Sequence, residues 1–238
     1  EWVDDRYQVS EPLSQVLHQP VPKFALRWWY CLGGITAFLF IVQATTGIML
    51  AFYYQPTPEA AYSSIQYIES GVRFGSSVRA IHSWAANGMI VLCTAHMLRV
   101  FIMGAFKAPR ELNWVSGAVL LVVTLAFGFT GYLLPWDQRA FWATTVGTEI
   151  AGAVPGVGSW LRKIMLGGDT VGAETLSRFF TLHVIVLPWT LTFLVVLHLV
   201  LMRTQNHTQG STIIDSGKGT GITDRKDSVC LLKKGCPV

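Results

Sequence analysis

Four stretches of the chain are long and apolar enough to cross a bilayer, with polar connections between them. The first runs from about Trp28 to Tyr53 without a charged residue, bounded by Trp28, Trp29 and Tyr30 at one end and by Tyr53 and Tyr54 at the other. About 20 apolar residues span the hydrocarbon core, and aromatic clusters mark its two interfaces. The second stretch covers residues 78–104, the third 113–134 and the fourth 179–202. The third stops at Pro135-Trp136-Asp137, and Pro188 is expected to kink the fourth. Between the third and fourth, residues 138–178 are Gly-rich and moderately apolar, a pattern that predicts short helices at the membrane surface. Residues 28–203 thus read as one all-α, four-helix transmembrane bundle. Before it lies a mixed segment, residues 1–27, broken by Pro20 and Pro22, where Val9, Leu13, Val16 and Leu17 follow the spacing of an interfacial helix. After it, residues 204–238 form a polar tail expected to be extended.

Composition agrees with this class. The chain is 51% hydrophobic and only 13% charged, against about 25% charged in soluble proteins. The net charge of +4 sits in loops and tail, which argues against a nucleic-acid partner. Four crossings put both termini on one side, where most Lys and Arg also fall. The positive-inside rule makes that the cytoplasmic, or negative, side. The chain opens on Glu1 without a secretory signal, so its start is expected to be processed or to continue upstream. Cys31, Cys93, Cys230 and Cys236 are scattered, with no CxxC or CxxCH, so neither a zinc site nor the usual c-type haem attachment is indicated. No nucleophile triad and no phosphate loop is present, so no catalytic nucleophile is assigned.

The candidate chemistry lies in four histidines inside the spans. His82 and His96 stand 14 residues apart in the second stretch, and His183 and His198 stand 15 apart in the fourth. On a helix such steps rise about 21–22.5 Å and leave the side chains within roughly 60° of one face. The second and fourth spans run in the same direction, so His82 pairs with His183 at one depth and His96 with His198 at the other. A single histidine in a span can be a hydrogen-bonded packing residue, but two per helix at near-equal spacing favour ligands. A zinc or copper site would need further donors, and apart from Cys93 none lies at these depths. Two neutral imidazoles per layer suit the two faces of an iron porphyrin, and filled axial positions point to electron transfer. Glycines recur 14 residues apart in the first span, Gly33 and Gly47, and in the third, Gly117 and Gly131. They can serve helix packing or make room for a flat ligand. Arg79 and Arg99, each three residues from a histidine, can meet haem propionates or snorkel to the interface.

The stretches Tyr30-Cys-Leu-Gly-Gly-Ile-Thr36, Lys107-Ala-Pro-Arg-Glu-Leu-Asn-Trp114 and Gly131-Tyr-Leu-Leu-Pro-Trp-Asp-Gln138 resemble the cytochrome b6 family, the split cytochromes b of b6f-type quinol oxidoreductases. The likeness runs from about residue 20 to Arg203, and the 15-residue step between His183 and His198 is similar to the b6 type. It implies two stacked b haems, held by His82 and His183 on the positive side and by His96 and His198 on the negative side. It also implies a third haem, of c type, on a single thioether bond at Cys31, a residue that by itself would read as packing. Arg203, Arg110 and Lys107 match basic residues near the negative-side haem. Phe141, Trp142, Ala143 and Val146 match the surface helix lining the quinol-oxidation pocket.

The implied function is a Q cycle, with quinol as substrate and electrons carried across the membrane. The implied partners are a subunit IV supplying the missing Pro-Glu-Trp-Tyr half, a Rieske iron–sulfur protein and a c-type cytochrome, in a dimeric complex. The implied place is the bacterial cytoplasmic membrane, or alternatively a thylakoid. Two other readings compete: a dihaem membrane anchor of another dehydrogenase or reductase, and a structural or transport bundle with packing histidines.

Overall fold

The computed structural model describes residues 30–108 and 110–216, with side chains described as far as Met202. The proposed segment 1–27, Trp28 and Trp29, the Arg203 side chain, residues 217–238 and with them Cys230 and Cys236 lie outside the described residues. Every element within them is helical: α1 (Leu32–Ala51), α2 (Ala61–Ser70), α3 (Gly75–Ile102), α4 (Glu111–Leu133), α5 (Gln138–Gly152), α6 (Gly158–Leu166), α7 (Ala173–Thr181), a π-helical turn (Leu182–Val186) and α8 (Leu187–Ser216).

Four of these helices are long and apolar enough to cross a membrane: α1, α3, α4 and the continuous run from α7 through the π turn to Met202. They carry large apolar side chains on their outer faces, among them Phe38, Trp84, Val122 and Trp189, as helices surrounded by lipid or partner subunits do. The protein is an all-α integral membrane protein. The helix α8 continues past the apolar stretch to Ser216, so the first part of the polar tail extends the helix instead of leaving it.

The bundle packs in pairs. α1 lies along α3, α4 lies along α8, and α3 touches α4. α3 and the π turn before α8 approach each other through His82 and His183.

One end of the bundle is closed by the shorter helices. Leu133, Leu166, Leu176 and Phe179 are fully buried there, with Ala61 and Val171, and Tyr54, Phe129, Trp136 and Phe141 pack around them. α2 was not apparent in the polar connection after the first span, although Ala61, Ser64 and Ile68 form its buried face at helical spacing. Its turn into α3 is tight. Phe74 adopts a left-handed backbone, and a Cβ on Gly75 would lie 1.9 Å from the Ile68 carbonyl oxygen, so only glycine fits. At α5, the Asp137 carboxylate accepts from the Ala140 N–H at 2.8 Å and caps the helix after the Pro-Trp-Asp turn. The Tyr54 hydroxyl donates to the Leu134 carbonyl at 2.7 Å, tying the end of α1 to the end of α4, and burial pushes the phenol pKa up.

Candidate functional site

Each of the four histidines faces one of the four spaced glycines. A Cβ built on Gly47 would lie 3.3 Å from Cε1 of His82, and one on Gly33 3.1 Å from Cε1 of His96. In the other helix pair the same distance is 3.3 Å from Gly117 to His198 and 2.6 Å from Gly131 to His183. The glycines therefore admit imidazole rings edge-on against a bare backbone. The group they touch is the histidine ring of the facing helix.

Hydroxyls immediately before three of these glycines hold the rings. Thr46 Oγ1 is 2.8 Å from His82 Nδ1, Ser116 Oγ is 2.8 Å from His198 Nδ1, and Thr130 Oγ1 is 3.2 Å from His183 Nδ1. Each hydroxyl already donates its proton to a backbone carbonyl: Thr46 to Val42, Ser116 to Asn113 and Thr130 to Ala126. A hydroxyl has one proton, so toward the ring it can only accept. In the tautomer that matches this arrangement, Nδ1 carries the imidazole proton and the Nε2 lone pair is available to a metal. These three residues were missed in the sequence, although the dipeptides Thr46-Gly47, Ser116-Gly117 and Thr130-Gly131 repeat one pattern. At the fourth position the dipeptide is Leu32-Gly33, and His96 Nδ1 has no hydrogen-bond partner among the described residues.

His82 of α3 and His183 of the π turn face each other. The ring centres of His82 and His183 are 6.4 Å apart, and the rings are inclined by 67°. Two imidazoles bound through nitrogen at about 2 Å to one ion leave their centres roughly 6 Å apart. The Phe127 ring packs edge-on against His183 at 5.4 Å. His96 and His198 lie within electrostatic range of each other at the other depth. No group of three or more His, Cys, Asp or Glu side chains converges among the described residues, so each layer offers two nitrogen donors. That donor set, with a hydroxyl against Nδ1 of three rings and bare glycine backbones behind all four, fits a bis-histidine haem.

The unequal steps, 14 and 15 residues, meet glycine pairs that are both 14 apart. The π turn reconciles them. Its Leu187 N–H bonds to Leu182 O, one residue further back than in an α-helix. A π turn thus absorbs one extra residue without added rise. Pro188 follows at once. Lacking an N–H and crowding the carbonyl four residues back, it sits where an α-helical ladder would be hardest to keep.

The other predicted residues are placed unevenly. Arg79 is ion-paired to Glu69 at the protein surface. Arg99 lies over the Tyr30 ring, 4.3 Å from its centroid, and its buried Nε has no hydrogen-bond partner among the described residues. Arg110 precedes the first residue of α4, and Lys107 lies in the same turn. Cys31 is exposed at the start of α1, two residues before Gly33. On α5, Phe141 packs into the closed end against Trp136, whereas Trp142, Ala143 and Val146 form an exposed face.

Comparison with known proteins agrees with this geometry. The model of the family described as Cytochrome b/b6/petB matches residues 16–206. The cytochrome b6 of Heliomicrobium gestii is 50% identical over 205 residues, and that of Heliobacterium mobile 48%, each match covering 86% of this chain and 96% of the relative. Among solved structures, a chain of a hyperthermophilic respiratory Complex III superposes with a TM-score of 0.77 at 33% identity, covering 86% of this chain. This chain spans 54% of the length of that one. A match of this extent, over the helices that carry the four histidines, places the chain in the cytochrome b/b6 family, the b-type haem proteins of membrane electron transport.

Proposed function

We propose that the chain is the cytochrome b subunit of a quinol oxidoreductase, in which His82 and His183 hold one b haem and His96 and His198 a second. The observation that carries this is the matched set of four imidazoles against four glycines, three with Nδ1 at hydrogen-bond distance from a hydroxyl. Bound there, the haems supply one-electron transfer across the low-dielectric core. The protein's part would be to keep each Nε2 lone pair turned into its layer and to exclude water and other ligands from it. Arg99, with its unpartnered Nε beside the His96 layer, is suited to receive a propionate there. Arg79 would have to leave Glu69 or share it to do the same in the other layer. Arg110, Lys107 and Arg203 are assigned to the surroundings of the negative-side haem.

In this reading the closed end faces the positive side, and quinol is oxidised near α5. The exposed face of Trp142, Ala143 and Val146 is then the part of the pocket open to a subunit IV-type partner, with Phe141 supporting it from inside. Electrons would leave toward a Rieske protein and a c-type cytochrome, and quinone would be reduced at the opposite end in a Q cycle. Cys31, exposed beside the His96 layer, is the proposed thioether site for a haem c.

A reduced-minus-oxidised spectrum of the purified complex tests the main assignment. Two b-type haems are expected, each lost on replacing a histidine of its own pair. Absence of b-haem bands would leave a packing role for the histidines. For Cys31, haem staining after denaturing electrophoresis should mark this polypeptide, and an unstained band would remove the covalent haem from the proposal. Identification of the co-purifying quinone would name the substrate.

A further inference from the structure

Three of the four histidines hold Nδ1 within hydrogen-bond distance of a hydroxyl from the residue preceding their glycine, and among the described residues His96 Nδ1 has no such partner. The difference is chemical rather than geometric. Gly33 approaches the His96 ring as closely as Gly47 and Gly117 approach theirs: Cε1 lies at 3.1 Å against 3.3 Å in both others. The side chain in the hydroxyl's place is Leu32, which is buried and can accept nothing.

A hydrogen bond accepted from the distal N–H of a metal-bound imidazole raises the basicity of the ligating nitrogen. A more basic axial ligand favours the oxidised over the reduced iron, and ligand environment is among the levers that set a haem potential. We propose that Leu32 is a redox-tuning position: by withholding that hydrogen bond it leaves His96 the weakest electron donor of the four ligands and raises the potential of the haem held by His96 and His198. The haem held by His82 and His183 is hydrogen-bonded on both axial rings, through Thr46 and Thr130. The other is bonded on one ring only, through Ser116.

This inference rests on the assignment of the histidines as haem ligands, and the test separates the two. Potentials of both b haems are measured by optical redox titration of the intact complex in membranes, for the native chain and for Leu32→Thr, Leu32→Val and Ser116→Ala. Threonine and valine have the same shape, so the pair isolates the hydroxyl. L32T is expected to move the His96/His198 haem to a more negative potential and leave the other in place, while L32V moves it less or not at all. S116A should shift the same haem in the opposite direction, and it keeps the test open if L32T fails to assemble. An L32T potential equal to that of L32V, or an unmoved haem in S116A, overturns the tuning role. A native complex without b haems overturns the ligand assignment itself.

Discussion

The two helix pairs solve the same problem with different spacing. In α1 and α3 both partners step 14 residues, Gly33 to Gly47 and His82 to His96, and regular helices keep both contacts. In α4 and α8 the glycines step 14 and the histidines 15, and a π turn takes up the difference. Left uncorrected, one extra residue would turn the second ring by about 100° away from its glycine. What is held constant is therefore the ring-on-glycine contact, with helix regularity adjusted to meet it.

The largest expected effect breaks this comparison directly. An alanine inserted after Val91, between His82 and His96, gives α3 the same 15-residue step without a π turn. It should cost the His96/His198 haem, read as loss of half the b-haem absorbance. Deleting Val186 from the π turn of the other pair removes the surplus residue, and both haems should remain. If the insertion keeps both haems, or the deletion loses one, spacing does not govern the contacts as argued.

The next effect compares the two sides of a single haem. Gly131 and Gly47 flank the His183 and His82 layer from opposite helices, with Cβ clearances to the ring of 2.6 Å and 3.3 Å. Gly131→Ala must push the imidazole out, at an overpacking cost of about 1–3 kcal/mol. Gly47→Ala asks only for a small adjustment. Haem content after purification should fall in G131A and stay near normal in G47A. Equal loss in the two variants would show that the halves are not distinguished by clearance.

Much of this was legible in the sequence because it is carried by periodicity. The four apolar stretches, the histidine pairing and the glycine steps all follow from counting along helices. What was not legible depends on contacts between distant segments. The Glu69–Arg79 pair brings a residue of α2 to an arginine read as a propionate ligand, and nothing in the sequence announces it. Phe141 and Trp142 are neighbours in sequence and were grouped together, yet α5 turns one into the core and the other outward. The hydroxyl–glycine dipeptides lie between these cases. The pattern is visible once Thr46, Ser116 and Thr130 are seen against the rings, but each dipeptide alone is commonplace in an apolar helix.

Smaller effects contrast the closed end with the spans. Asp137→Ala removes the only side-chain cap at the start of α5 and leaves the Ala140 N–H without it. A lost N-cap costs about 1 kcal/mol. The expected result is a lower unfolding temperature of the purified complex with both haem bands in place. A change in haem content would instead tie the cap to the site.

Tyr54→Phe should be the mildest of these changes. It keeps the ring, which packs 5.6 Å from Phe180, and removes the hydroxyl that donates to Leu134. That carbonyl stands at the end of α4, just before Pro135, past the last turn of the helical ladder. The loss of one neutral hydrogen bond is worth about 1 kcal/mol. Because burial pushes the Tyr54 pKa up, the folded protein keeps the phenol protonated at pH values where an unfolded chain would begin to lose the proton. Linkage then makes the native protein lose stability as pH rises past the ordinary tyrosine value of about 10, while Y54F lacks this one contribution. The stability gap between the two proteins should therefore narrow from pH 8 to pH 11 in thermal melts of the complex. A gap that stays constant or widens would mean that the hydroxyl is not held as a buried donor between α1 and α4.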